Sequence, residues 1–388
     1  MRQAFTNLVD EIRDIFGGGF IPLHRPIFAG NERQYLVDCI DSNFVSSVGE
    51  KVTEFEGRVA KFAGTRYAVA TVNGTAALHV ALKLVGVDSG DEVITQAMTF
   101  IATCNATRYC DAWPVFVDVD PDTLGMSPSA LRTFLESNAE KRKDGVYNRI
   151  SGRRFAACVP MHTFGLPCRV SEIVSVCREY GIPVIEDAAE SLGSYIGEQH
   201  TGSIGDVGTF SFNGNKVITT GGGGMIVTDD ESLAVRAKHI TTTAKVPHAW
   251  EFVHDEVGYN YRLPNLNAAL GCAQMERLPE MLASKADVAA RYAAVLTDGP
   301  LQLVQPLQGA IANHWLNAVI MEDRQTRDDF LKYTNSRDVM TRPIWQLMHQ
   351  LGMFTHCQHD GLPNSIWLAD RLVNLPSSVP KGALKDYS

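Results

Sequence analysis

No stretch of this 388-residue chain is long and apolar enough to read as a membrane span. The opening residues, MRQAFTNLVDEIRDIF, carry Asp10, Glu11 and Asp14 and lack the apolar core of a signal peptide. Positive charge is in deficit. There are 35 Lys and Arg against 44 Asp and Glu, and the net charge of −9 argues against non-specific binding to nucleic acid or to an anionic membrane. CxxC pairs are missing as well, so the eight cysteines scattered from Cys39 to Cys357 read as reduced and mostly buried, not as a disulfide framework. Internal repeats and low-complexity tracts are absent too. What is there is ordinary for a globular protein, 45% hydrophobic and 20% charged, with enough chain for one large and one smaller domain. A cytoplasmic protein is expected.

Phe5, Leu8, Val9, Ile12, Ile15 and Phe16 recur at helical spacing and stop at Gly17–Gly19, which predicts an amphipathic first helix. Seven β-like segments follow, at 66–72, 91–96, 113–119, 154–160, 182–187, 208–212 and 224–230. Most are continuous apolar runs without alternation, the pattern of strands covered on both faces in a parallel sheet. Residues 74–86 and 169–181 suit crossover helices, each closed by glycine. The basic stretch 137–154 reads as a solvated excursion. Residues 265–295 are strongly helical, with Pro279 marking a break or a new start, and lead into a smaller α+β portion. The expected division is an N-terminal helix and arm over 1–29, a large α/β domain over 30–262 and a small domain over 263–388. The calcium-loop-like DVDPDTLG (118–125) has Thr123 where glycine is needed and Ser129 where a bidentate Glu belongs, so no metal site is expected.

Parallel sheets place ligands outside the carboxyl ends of their strands. Asp187 ends IPVIED, where it is either an N-cap or a carboxylate for a protonated ring nitrogen. Asn73, Gly74, Thr75 and Ala76 follow a strand and open a helix, a place where backbone N–H groups meet an anion, although a well-capped turn would look the same. Lys216, in TFSFNGNKVITTGGGG, is not a Walker lysine, because the required G-x-x-x-x-G-K-[ST] spacing is missing. Its apolar, glycine-rich surroundings disfavour a plain solvated charge. Ser211 offers a hydroxyl five residues earlier, and Phe100 offers a flat ring that either stacks on a cofactor or fills the core. A reactive amine, a strand-end carboxylate, a helix start and hydroxyls are together what pyridoxal phosphate needs from a protein.

IEDAAESLGS, GDVGTFSFNGNKVITTGGGGMIVTDD and YNYRLPNLNAALGCAQ resemble the DegT/DnrJ/EryC1/StrS family of sugar aminotransferases, from about residue 21 to 351. FVSSVGEKVTEFE, TTTAKVPH and FNGNKVITTGGGG resemble its LegC-type branch, found in bacillosamine and legionaminic acid pathways. The resemblance implies an aspartate-aminotransferase-like α/β fold of type I and pyridoxal 5'-phosphate as cofactor. It implies the Schiff-base lysine at Lys216, the ring-nitrogen partner at Asp187, and phosphate contacts at Gly74, Thr75, Ala76 and Ser211. Phe100 matches the stacking aromatic. Asn260 matches an asparagine that reaches the cofactor of the neighbouring subunit, which implies a homodimer with shared active sites. Glu190 and Asn213 stand near the ring where other branches carry Gln or His, and His or Asp. His162, Lys245, Arg342 and Trp345 are the implied contacts for the sugar nucleotide.

The reading is a transaminase that moves the amino group of L-glutamate onto a UDP-linked 4-keto-6-deoxy-2-acetamido-sugar, with no nucleic-acid or membrane partner. The alternatives are a GDP-4-keto-6-deoxy-sugar aminotransferase of the perosamine type and a non-catalytic sugar-nucleotide sensor. The family's dehydratase branch carries histidine in place of Lys216.

Overall fold

The computed structural model describes residues 1–297 and 299–384. The seven expected strands all form: β1 (Tyr67–Thr71), β2 (Glu92–Gln96), β3 (Trp113–Val117), β4 (Phe155–Val159), β5 (Ile185–Asp187), β6 (Val207–Ser211) and β7 (Gly224–Thr228). They lie side by side in the order β3-β2-β4-β5-β6-β7-β1, with β4 and β5 joined by the bridges Cys158–Val184 and Met161–Asp187. Every residue of β2, β4 and β7 is buried, as a sheet covered on both faces requires.

One strand departs from the all-parallel expectation. β7 runs antiparallel to both β6 and β1. A parallel return needs a crossover of about a dozen residues or more, usually helical. Residues 212–223 contain no helix and double back as a loop, so the next strand can only come back antiparallel. That loop carries Lys216.

Five helices matter here: α1 (Arg2–Phe16), α2 (Gly74–Leu84), α3 (Ile101–Tyr109), α4 (Val170–Tyr180) and α5 (Asn265–Leu296). The crossover helices α2 and α4 sit where the sequence puts them. α5 differs from expectation, because it runs unbroken through Pro279. Proline removes one backbone donor there, but Met275, Leu278 and Met281 stay in the buried stripe on either side and hold the helix to the core. α1 packs with Val288, Tyr292 and Leu296 at the far end of α5 and with Phe330, Val319 and Val373, so the first helix joins the C-terminal portion in space. That portion holds a small sheet of Gln302–Leu303, Asn317–Ile320, Leu372–Leu375 and Arg342–Pro343, in that order. The excursion at 137–154 is more ordered than a loop. Ala139–Arg142 and Gly145–Asn148 pair as an antiparallel hairpin around Lys143–Asp144. None of the helices among the described residues is long and apolar enough to cross a membrane.

Candidate active site

The tips of β1, β5 and β6 point to one edge of the sheet, and the antiparallel β7 begins there. Thr71 and Ser211 both pair with Gly224 at this edge. A Cβ on Gly224 would come within 2.4 Å of the Asn73 carbonyl oxygen, and one on Gly74 within 2.8 Å of Ser211 Cβ. Glycine at both positions lets β7 and the end of β6 close onto the start of α2. Asn73 caps that helix, its Oδ1 accepting the Ala76 N–H at 2.8 Å. The Ala76 amide expected at a phosphate is therefore already used by the cap. The helix start at Gly74 and Thr75 and the Ser211 side chain face the cavity.

Asp187 ends β5 and is 2% exposed. Its Oδ2 accepts the Thr103 hydroxyl at 2.7 Å, and its Oδ1 accepts the Ala189 N–H at 3.2 Å. Burial pushes the carboxyl above its usual value, against those two donors and the positive Lys216. Thr103 escaped the sequence reading. It stands in the first turn of α3, three residues after Phe100, the extended N-cap of that helix, and that closeness was the available signal.

Lys216 follows a turn in which its own N–H donates to the Asn213 carbonyl. Its Nζ lies 3.9 Å from the centre of the Trp315 ring and 3.3 Å from Glu190 Oε1. The Trp315 indole N–H donates to the Asn215 carbonyl at 2.6 Å, which ties the lysine loop to the C-terminal portion. Trp315 is distant in the chain, and no local pattern announced it. Glu190 is 3% exposed, and its carboxyl is pushed up to about 7 by burial, opposed chiefly by Lys216.

These groups line one cavity of about 330 Å³, whose wall includes Gly74, Thr75, Phe100, Asp187, Glu190, Ser211, Asn213, Lys216, Trp315 and Trp345. Phe100 is half exposed and meets Trp345 edge-on at 6.0 Å. Besides Ala76, four expected site residues lie outside this wall. His162, expected at the substrate, is fully buried instead. Its Nδ1 accepts the Cys168 N–H at 3.2 Å, so that nitrogen carries the lone pair and Nε2 the hydrogen given to Glu186 at 2.9 Å. Glu186 in turn accepts the N–H groups of Gly202, Ile204 and Gly205, so His162 serves to pin that loop. Lys245 lies on the hairpin Lys245–Val246/Val253–His254 with its Nζ 3.8 Å from the Phe252 ring, and it does not line the cavity. Arg342 is exposed on an edge strand of the small sheet. Asn260 is exposed and bridges Thr242, outside the cavity of its own chain.

A family model described as the DegT/DnrJ/EryC1/StrS aminotransferase family matches residues 26–381. The chain belongs to that family. Among curated relatives, EpsN of Bacillus subtilis (strain 168) is 37% identical over 86% of this chain and 84% of its own length. A GDP-perosamine synthase of Caulobacter vibrioides is 36% identical over 88% and 89%. The crystal structure of the aminotransferase TlmJ from Streptoalloteichus hindustanus superposes with a TM-score of 0.84 at 27% identity, covering 92% of this chain and 94% of that one. The enzyme is thus a pyridoxal phosphate-dependent sugar aminotransferase with the type I fold.

The residues present suit that cofactor. Asp187 is a buried acid that makes no ion pair among the described residues, and a protonated ring nitrogen would supply the missing cation. An open helix start beside a serine hydroxyl suits the phosphate. The Lys216 amine faces the same cavity.

Proposed function

We propose that the enzyme aminates the 4-keto group of a UDP-linked 4-keto-6-deoxy-2-acetamido-sugar, with L-glutamate as donor. The observation that carries the chemistry is the meeting of Lys216, Asp187 and the α2 start in one cavity. The substrate rests on the LegC-type segments around 44–56, 212–224 and 241–248. In this reading Gly74, Thr75 and Ser211 hold the phosphate, Asp187 keeps the ring nitrogen protonated, and Asn213 and Glu190 border the ring. Bound there, pyridoxal phosphate supplies an aldehyde for amine exchange and a cationic ring that takes up the electron pair released at carbon. Lys216 does the proton work: its amine removes the proton from the donor's Cα and later delivers one to the sugar carbon. Phe100 and Trp345 wall the mouth and keep water from the reacting atoms.

A second substrate, a GDP-linked 4-keto-6-deoxy-sugar, is favoured by the similarity to GDP-perosamine synthases. The enzyme works as a homodimer with shared sites. Supporting this, Phe44, Val48, Trp250, Phe252 and Val257 are all exposed, as is Asn260. The eight free, buried cysteines support a reducing, cytoplasmic setting.

The test is an absorbance spectrum of the purified protein with added pyridoxal phosphate, before and after L-glutamate, beside Lys216→Ala. A yellow band that bleaches with glutamate and is missing in the variant is expected. UDP- and GDP-linked 4-keto-6-deoxy-sugars are then each added to the bleached enzyme. Return of the band with the UDP sugar supports the proposal, return with the GDP sugar alone selects the second substrate, and return with neither overturns both.

A further inference from the structure

Glu190 has more structure built around it than a residue bordering a ring requires. Its Oε2 accepts the Phe164 N–H at 2.8 Å. Its backbone carbonyl accepts Asn313 Nδ2 at 2.8 Å, and the same amide group also holds the Leu192 carbonyl at 2.9 Å. Phe164 itself adopts φ 60°, a left-handed conformation uncommon for a phenylalanine. A Cβ on Gly165 would collide with Asn313 Oδ1, so only glycine fits beside this framework. One oxygen is thus locked, and the other, Oε1, is left facing Lys216 Nζ at 3.3 Å.

The side chains are nearly sealed, 13% exposed for Lys216 and 2% for Glu190. In water such a pair would be ammonium and carboxylate. Burial penalises the carboxylate, and a proton held between Oε1 and Nζ relieves that cost. Burial raises the Glu190 carboxyl in that direction. The other titratable group facing Glu190 is Asp187. Lys216 also acts on Asp187 and on His24 of the N-terminal arm, whose imidazole is kept neutral by burial.

We propose that Glu190 and Lys216 share one proton as a working pair. When Lys216 acts as a base, Glu190 starts as the carboxylate; the Nζ–H bond made with the substrate's proton breaks again as Oε1 takes that proton, which leaves the neutral amine and the carboxylic acid. When Lys216 must act as an acid, the O–H bond breaks and the Nζ–H bond re-forms. Nothing is consumed, and the proton never enters solvent. This extends the assignment of Lys216 as the reactive amine and is independent of which sugar is aminated.

The test uses the full chain loaded with pyridoxamine phosphate, which leaves the lysine amine free. Brief acetic anhydride labelling across pH, read at the Lys216 peptide by mass spectrometry, reports the protonation of that amine. In the wild type the labelling curve rises in two steps, because the pair titrates jointly. In Glu190→Gln, which keeps an oxygen for the Phe164 N–H, one step remains. Its midpoint falls by about one unit or more, so labelling at neutral pH is about tenfold faster, because the opposite charge that held the proton is gone. A one-step wild-type curve overturns the proposal even if the variant does not fold. So do superimposable curves for the two proteins. Absence of the yellow band after pyridoxal phosphate is added would instead remove the Lys216 assignment, a separate failure.

Discussion

At the scale of single residues, the site depends on where a few polar atoms are spent. In the proposed role at the ring nitrogen Asp187 must be ionised, yet burial works against its charge. The Thr103 hydroxyl at 2.7 Å is the neighbour that most opposes this. Thr103→Val preserves shape and removes the donor. A hydrogen bond to a charged group contributes about 1.5–3 kcal/mol, so the glutamate half-reaction should slow by about tenfold or more with the cofactor still bound. Stopped-flow bleaching of the yellow band measures it, and an unchanged rate would remove Asp187 from its role. Asp187→Asn should cost about 10²-fold or more by the same assay, since it removes the charge itself. The pH dependence of the empty enzyme follows from Glu190. Its folded value of about 7 lies above the ordinary 4.5, so the folded state holds the proton that the unfolded chain releases between those values. Stability therefore falls as pH rises from about 4.5 to 7, and Glu190→Gln should flatten that slope in thermal melts of the cofactor-free protein.

The elements explain the four glycines after Lys216, and they give each a different tolerance. Gly221 adopts φ +80°, Gly223 would bring a Cβ within 2.3 Å of Thr220 Oγ1, and Gly224 would strike the Asn73 carbonyl. Gly222 has nothing nearer than the Val72 oxygen at 3.9 Å. Gly222→Ala should then change stability by no more than about 0.5 kcal/mol. Gly224→Ala should cost about 1–3 kcal/mol and release the cofactor, because backbone must move where the helix start meets β7. Paired melting curves with and without pyridoxal phosphate decide it, and equal tolerance at both positions would contradict the close approach. The same elements show what the sequence made legible. Apolar runs announced all seven strands, and strand-end reasoning pointed to Asp187, the Gly74–Thr75 start, Ser211 and Lys216, which line one cavity. The direction of β7 was hidden because its residues are as apolar as those of its parallel neighbours, and only the helix-free loop before it carries the difference. His162 was misjudged because a buried histidine and a ligand-facing one look alike in sequence, and only the Cys168 N–H and Glu186 separate them.

Over the whole molecule, the cavity is assembled from the large sheet and the C-terminal portion. Trp315 and Trp345 come from the C-terminal portion, and α5 ties that portion to the sheet: its first half packs among the core residues near β6, its second half against α1. Asn260 does not fit this picture if the chain acts alone, since it is exposed and outside its own cavity. In a twofold dimer the same surface meets its copy, and a residue useless at home can complete the partner's site. Lys216→Ala and Asn260→Ala proteins, each weak or inactive alone, should therefore restore activity when mixed and allowed to exchange subunits. Each hybrid holds one site with both wild-type residues, so random exchange should give roughly a quarter of wild-type turnover. Recovery requires Lys216 and Asn260 to serve one site from different chains. A mixture no more active than its parts, with hybrids confirmed by native mass spectrometry, would place Asn260 outside the shared chemistry.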